Sequence, residues 1–129
     1  MPPVVVGVSL KMYFGHTRAK EWFADVARLA RENESLASGA VQLFVIPSFV
    51  SIPAARETLA GTNVVVGAQD LFWEDYGAYT GEVSGVELAE LGVGVAEVGH
   101  AERRRIFGET DEIVAAKTAA ALRNGIAPV

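Results

Sequence analysis

The sequence predicts an α/β protein built around a parallel sheet, and two observations carry this prediction. Short apolar runs rich in β-branched residues recur along the chain, at residues 4–10, 41–46, 63–69 and 92–98. Runs of this kind, without polar alternation, are typical of strands buried on both faces of a parallel sheet. Segments with helical patterns lie between the runs, so the repeated β-α order predicts parallel strands joined by right-handed crossovers.

The first helix is predicted over residues 17–33. Its apolar residues recur at helical spacing and form one stripe, whereas the charged residues fall mostly off it. The stripe comprises Trp22, Phe23, Val26, Leu29 and Ala30.

Local end signals delimit the later helices. Residues 51–60 begin with Ser51 as a capping residue and carry Pro53 in the first turn. A short helix is predicted over residues 86–91. The clearest helix covers residues 110–124, with Thr110 as N-cap, acidic residues in its first turn and arginine in its last. The final residues, IAPV, have the pattern of a fifth strand that has only begun.

Composition limits the possible classes of function. The chain has 129 residues, half of them hydrophobic, which suits a single domain over 1–129 or part of a larger one. A net charge of −5 argues against nucleic acid or an anionic membrane as the main partner. The chain has no cysteine, which excludes disulfides and fits a cytoplasmic protein. Its apolar N-terminus lacks the basic segment and cleavage site of a signal peptide, so we interpret it as a strand.

Either an open doubly wound sheet or part of a closed barrel would fit this order of elements. An open sheet often has a glycine-rich phosphate-binding turn after its first strand. Here that turn reads SLKMYFGHT, which matches neither G-x-G-x-x-G nor a P-loop. The turn therefore favours the barrel.

Candidate functional residues follow the predicted strands, at the edge where parallel α/β folds gather their sites. They are Ser9 and Lys11 after the first strand, Gln69 and Asp70 after the third, and His100 and Glu102 after the fourth. A lysine, a histidine and a carboxylate that converge there could transfer protons on a small anionic substrate. Two histidines without cysteine are a poor ligand set, so we expect no metal.

Three motifs at these positions resemble the triosephosphate isomerase family. They are SLKM after the first strand, AYTGEVS after the third and VGHAERRRIFGE after the fourth. The resemblance covers essentially the whole chain. It implies the N-terminal half of a (β/α)8 TIM barrel of about 250 residues, with four β-α units plus the start of a fifth strand.

The resemblance also implies roles for individual residues. Lys11 matches the lysine that binds and polarises the substrate, and Ser9 matches a substrate-contacting position. His100 matches the catalytic histidine, which in this family stays neutral and acts as an electrophile on substrate oxygens. Glu102 matches a catalytic-site carboxylate beside the lysine, and Arg103 matches a supporting arginine.

The implied activity is a cofactor-free aldose–ketose isomerisation through an enediolate, interconverting glyceraldehyde 3-phosphate and dihydroxyacetone phosphate. An alternative is an erythrulose-phosphate isomerase of the same family, which acts on a four-carbon ketose phosphate. A homodimer is implied through a loop that in the family inserts into the neighbouring subunit, here Tyr79, Thr80, Gly81 and Glu82.

The chain departs from the family pattern in several places. Ser9 and Tyr13 stand where asparagine is usual, and Ala101 stands where serine is usual. The family's general base follows the sixth strand and its phosphate loops follow the sixth to eighth strands, beyond the matched half. We therefore expect activity only when a C-terminal half is present. The other possibilities are an inactive, self-associating half-barrel, or a chain of which only part is given.

Two further residues receive mainly structural interpretations. His16 has no motif around it and is predicted to be a solvent-exposed loop residue. Glu97 interrupts an apolar strand, where it either faces a helix and meets an arginine or tunes the site; we favour the structural role.

Within the arginine run, Arg103 is expected to pair with nearby carboxylates, and Arg104 and Arg105 to be mainly solvated.

Overall fold

The computed structural model describes residues 4–129 and forms a five-stranded sheet in which the strands follow sequence order. An open doubly wound sheet reverses its strand order at a switch point, so a strictly sequential order favours a barrel. The strands are β1 Val4–Ser9, β2 Val41–Ile46, β3 Val65–Ala68, β4 Val95–Ala96 and β5 Ala127–Pro128. The helices are α1 His16–Glu32, α2 Glu34–Ala37, α3 Ile52–Thr58, α4 Gly85–Glu90, α5 Ala101–Phe107 and α6 Asp111–Arg123.

The fold comprises two compact units, one ending at Gly67 and the other beginning at Ala68. In the first unit β1 pairs with β2 in parallel register, from Val4 opposite Val41 to Ser9 opposite Ile46. In the second unit β4 pairs with β5 in the same parallel sense. The expectation of one domain over 1–129 stays a prediction.

Helix α1 buries a narrower face than its sequence pattern predicts. Phe23 is fully buried, and the rest of the buried face consists of Ala19, Ala27 and Ala30. Leu29 is 51% exposed, so its predicted place in the buried stripe is wrong. The buried residues recur at a spacing of three and four positions along one helix face, and Leu29 lies off that face.

The capping role predicted for Ser51 is also wrong. A single 3-10 turn, Phe49–Ser51, precedes α3, and the Ser51 side chain makes no cap hydrogen bond. Its hydroxyl instead lies 2.9 Å from His16 Nδ1. His16 is exposed as predicted, but it is the first residue of α1 and not a loop residue.

Two helices lie between β4 and β5 in the second unit, where the sequence predicted one. Helix α6 has the expected cap, because the Thr110 hydroxyl accepts a hydrogen bond from Ile113 N–H at 3.4 Å. Its buried face, with Ala120 and Ala121, belongs to a core that also contains Ala96 and Ile126. Helix α5 was not predicted, and it carries the candidate site.

Across residues 4–129, none of the helices combines the length and the apolar character needed to cross a bilayer.

Candidate active site

The chain turns sharply from β4 into α5 at Gly99 and His100. Gly99 has a φ of +69°, in the left-handed region that side chains rarely adopt. A Cβ at this position would also lie 2.9 Å from both methyl carbons of Val114. Glycine therefore places His100 at the N-cap of α5, directly after the strand.

The backbone fixes which nitrogen of His100 carries the proton. Glu102 N–H donates a hydrogen bond to His100 Nδ1 at 3.0 Å. A backbone N–H can only donate, so Nδ1 must present its lone pair, and the proton of a neutral imidazole then lies on Nε2. His100 thus presents Nε2–H as a hydrogen-bond donor.

Two carboxylates flank the imidazole. Glu97 Oε1 lies 3.9 Å from Nε2, and Glu102 Oε2 lies 3.8 Å from Nδ1. The Glu97 side chain is 13% exposed, whereas that of Glu102 is 47% exposed. The structure thus places the carboxylates of Glu102 and Glu97 beside His100, with Glu97 on the side of the protonated nitrogen, and the catalytic roles of His100 and Glu102 stay predictions.

A charge cluster, formed by the buried Asp70, Glu109 and Lys117 and the half-buried Arg103, supports α5. Arg103 Nε lies 2.6 Å from Glu109 Oε2 and 3.1 Å from Asp70 Oδ2. Lys117 Nζ lies 2.8 Å from Asp70 Oδ1 and 2.7 Å from Glu109 Oε1. Two acids and two bases balance each other, so the cluster has no net charge when all four groups are ionised.

The charge cluster connects several elements of the second unit. Asp70 follows β3, Arg103 lies in the first turn of α5, Glu109 lies between α5 and α6, and Lys117 lies on α6. The supporting role expected for Arg103 therefore has a structural basis, because Arg103 anchors the helix that His100 begins. Asp70, a candidate for the site, has its carboxylate occupied by this cluster.

Sequence reasoning missed Lys117, although a signal was present. Lys117 is the single cation in the apolar segment IVAAKTAAAL and is only 4% exposed. A lone lysine on the buried face of a helix requires a buried acidic partner, since an unpaired buried charge is very costly. That pattern alone predicts an ion pair, although it does not identify the partner.

The charge cluster makes stability depend on pH through Glu109. Burial by itself raises the pKa of Glu109, but Lys117 and Arg103 outweigh burial and hold the pKa below its ordinary value of 4.5. A pKa lowered in the folded state means that ionised Glu109 stabilises the protein above pH 4.5. This contribution is lost as the pH falls through the folded-state pKa.

We therefore expect Glu109→Gln to lower the free energy of unfolding at neutral pH and to weaken its dependence on acid. Urea unfolding from pH 7 down to about pH 3 would measure this, with the curves of the variant and the wild type converging as the pH falls. Glu90→Gln, at an exposed position on α4, is the matched control. A constant gap between the wild-type and Glu109→Gln curves across the whole range would contradict the assignment.

The first unit holds the other predicted site residues, Ser9 and Lys11. Ser9 ends β1, and both residues are partly buried. Lys11 has a φ of +51°, the one positive φ recorded for a residue other than glycine within 4–129. Such a conformation costs about 1–3 kcal/mol and is found most often at functional sites. The backbone thus supports a functional interpretation of Lys11.

The loop predicted to mediate dimerisation is exposed throughout residues 79–82. The ring of Tyr79 packs on Phe72, with 4.6 Å between ring centroids. A cavity of about 350 Å³ adjoins the loop and is lined in part by Phe72, Tyr79, Glu82 and Glu87. Dimerisation through this loop stays a prediction of the family resemblance.

The chain matches one family model and curated isomerases of two names. The family model described as Triosephosphate isomerase matches residues 4–129. The chain is 49% identical to L-erythrulose-1-phosphate isomerase of Pectobacterium atrosepticum over 126 residues, which cover 98% of this chain and 49% of that protein. It is 40% identical to triosephosphate isomerase of a Synechococcus strain over 129 residues, covering 100% of this chain and 52% of that protein.

A solved structure shows the same fold. The crystal structure of triosephosphate isomerase from Bartonella henselae superposes with a TM-score of 0.83 at 30% identity, covering 99% of this chain and 50% of that one. The predicted fold class is therefore confirmed as half of a TIM barrel. The chain spans about half the length of the curated relatives that it matches.

Proposed function

This chain belongs to the triosephosphate isomerase family, and we propose that it supplies the N-terminal half of an isomerase for a four-carbon ketose phosphate. The observation that carries the substrate assignment is the 49% identity to an L-erythrulose-1-phosphate isomerase across 98% of the chain. Over a comparable length, the identity to two triosephosphate isomerases is 40% and 44%. The family resemblance implied the three-carbon substrates as the main activity and the four-carbon ketose phosphate as the alternative. The higher identity leads us to propose the alternative instead.

The proposed chemistry moves a carbonyl group between adjacent carbons. A general base removes a proton from the carbon beside the carbonyl, and the electrons form an enediolate. His100 Nε2–H donates its proton to the oxygen that becomes negative, and Nε2 then takes up the proton of the original hydroxyl, whose oxygen becomes the new carbonyl oxygen. The base returns its proton to the neighbouring carbon, which completes the transfer. The backbone hydrogen bond to Nδ1 supports this role, because it keeps the proton on Nε2.

The remaining roles follow from the family. Lys11 provides a cation for the anionic substrate, and its strained backbone supports this assignment. Glu102 and Ser9 are proposed to contribute a carboxylate and a substrate contact. The general base and the phosphate loops match no residue of 1–129, so they must come from a C-terminal half.

The test is an assay of a complete barrel, in which residues 1–129 are joined to the C-terminal half that the family fold requires. We expect kcat/KM to be higher for L-erythrulose 1-phosphate than for dihydroxyacetone phosphate. The opposite preference would assign a triosephosphate isomerase instead. No turnover of either substrate would refute an isomerase and favour an inactive, self-associating half-barrel. The chain of 129 residues alone should be nearly inactive, because it lacks a match to the phosphate loops as well as to the general base, whose loss by itself costs about 10²–10⁴-fold.

A further inference from the structure

Arg104 contacts the turn that presents His100, and the proposed mechanism does not use it. We propose that Arg104 is a positioning residue, whose side chain holds the Gly99 carbonyl and thereby sets the orientation and the tautomer of the His100 imidazole. The effect of Arg104 on catalysis rests on the proposed function, whereas its effect on the tautomer can be measured without any reaction.

Arg104 binds two successive carbonyl groups at the start of α5. Its backbone N–H donates to His100 O at 3.0 Å, which closes the first helical turn. Its side chain reaches back beyond that bond, and Nε–H donates to Gly99 O at 3.1 Å. The Gly99 carbonyl belongs to the peptide group that includes the His100 nitrogen. The side-chain contact therefore fixes the peptide plane from which the His100 side chain projects.

The peptide group between Gly99 and His100 needs such a contact to hold it. Gly99 has no Cβ and a φ of +69°, so its own conformational preference does not select one orientation. Rotation of this peptide group would turn the imidazole away from Glu102 N–H, whose hydrogen bond keeps the proton on Nε2. Without that hydrogen bond both neutral tautomers become accessible, and one of them lacks the Nε2–H donor. The Arg104 contact therefore restricts His100 to the donor form.

Packing alone does not hold α5 in place. None of its residues is buried, and a helix of 7 residues is marginal in isolation. Arg103 and Arg104 follow each other on α5, and successive residues point about 100° apart around a helix. Arg103 ties α5 to the charge cluster, so Arg104 holds the helix in a second direction, toward Gly99.

The Arg104 guanidinium also has an ionic contact, which contributes little to this role. Arg104 Nη1 lies 2.8 Å from Asp111 Oδ1, but the Asp111 side chain is 89% exposed and that of Arg104 is 42% exposed. Exposed ion pairs contribute little, because water and salt screen them. The hydrogen bond from Nε to Gly99 O, and not the charge, therefore carries the proposed role. The two contacts use different nitrogen atoms of the guanidinium, so substitutions can separate them.

The experiment compares Arg104→Met with Arg104→Gln, which both remove the charge and the ion pair with Asp111. The amide nitrogen of glutamine is as many bonds from Cα as Nε of arginine, so it can still donate to Gly99 O. Methionine has a methyl carbon at that point.

Long-range proton–nitrogen NMR spectra of the chain of 129 residues report the tautomer of His100. The spectra are recorded at about pH 8, where histidine is ordinarily neutral. We expect only the Nε2–H form in the wild type and in Arg104→Gln, and a mixture of both tautomers in Arg104→Met. Arg105→Met, at the next and exposed position of α5, should match the wild type.

Steady-state kinetics of the complete barrel with L-erythrulose 1-phosphate provide the second measurement. We expect Arg104→Met to lower kcat by about 10- to 100-fold with little change in KM, because a misplaced donor weakens binding of the transition state more than that of the substrate. Arg104→Gln should lose much less of kcat, and Arg105→Met should lose none.

The outcomes separate this inference from the proposed function. Equal behaviour of Arg104→Met and Arg104→Gln would overturn the inference, because a role through charge is lost in both variants. A tautomer that is mixed in the wild type, or unchanged in Arg104→Met, would overturn it as well. If Arg104→Met does not fold, Arg104→Lys replaces it, since lysine keeps the charge but has a carbon at the position of Nε. A complete barrel that turns over neither sugar phosphate would refute the proposed function, and the tautomer would still decide the role of Arg104.

Discussion

Replacing His100 by glutamine is expected to lower kcat of the complete barrel by about 10²–10⁴-fold, with a smaller change in KM. Glutamine can donate a hydrogen bond to a substrate oxygen, but it cannot pass a proton between two oxygens. Glu102 N–H donates a hydrogen bond to Nδ1 of His100, which leaves the proton on Nε2 and so positions the imidazole for this proton transfer. Steady-state kinetics with L-erythrulose 1-phosphate would measure the loss.

His16→Gln is the matched control, since His16 is the other histidine and lies exposed at the start of α1. We expect it to retain nearly full turnover. Circular dichroism should show both variants folded, although loss of the His100 cap removes about 1 kcal/mol from the stability of α5. A His100→Gln enzyme with more than a tenth of wild-type kcat would remove His100 from the chemistry.

Lys117→Met is expected to lower the free energy of unfolding by about 3–5 kcal/mol. The substitution keeps the length of the side chain but removes the cation that faces both Asp70 and Glu109. Lys117 is 4% exposed and the two carboxylates are 8% and 7% exposed, so water cannot replace the lost partner. Chemical denaturation at neutral pH would measure the effect.

Two comparisons isolate the charge from the packing. Lys20→Met, at an exposed position of α1, should change stability by less than about 0.5 kcal/mol. Adding Asp70→Asn to Lys117→Met should recover part of the loss, because it removes one of the carboxylates left without its cation. If Lys117→Met unfolds at the wild-type denaturant midpoint, the charge cluster contributes nothing to stability.

Local sequence patterns were sufficient for most of the fold. The apolar run at 41–46 coincides with β2 to the residue, and the runs at 4–10, 63–69 and 92–98 contain β1, β3 and β4. Thr110 caps α6 as predicted. These features depend on hydrophobic periodicity and end signals, which are properties of neighbouring residues.

Predictions from local sequence patterns failed where tertiary contacts outweigh local conformational preference. Helix α5 has charged residues at four of its seven positions, and none of its residues is buried, so its sequence has no apolar stripe to signal a helix. It is stabilised by ion pairs beyond its own sequence, from Arg103 to Asp70 and Glu109 and from Arg104 to Asp111. A helix of this length is marginal in isolation, so such contacts decide whether it forms.

The sequence by itself determined the parallel α/β order, the family and the position of His100 at the end of β4. Only the tertiary structure decided the pairing of Lys117 with Asp70, 47 residues apart, and the approach of Glu97 to the protonated nitrogen of His100. The physical reason is that an ionic partner is selected by distance and burial in space. Periodicity reports which face of an element is buried, but it does not specify which charged group lies opposite.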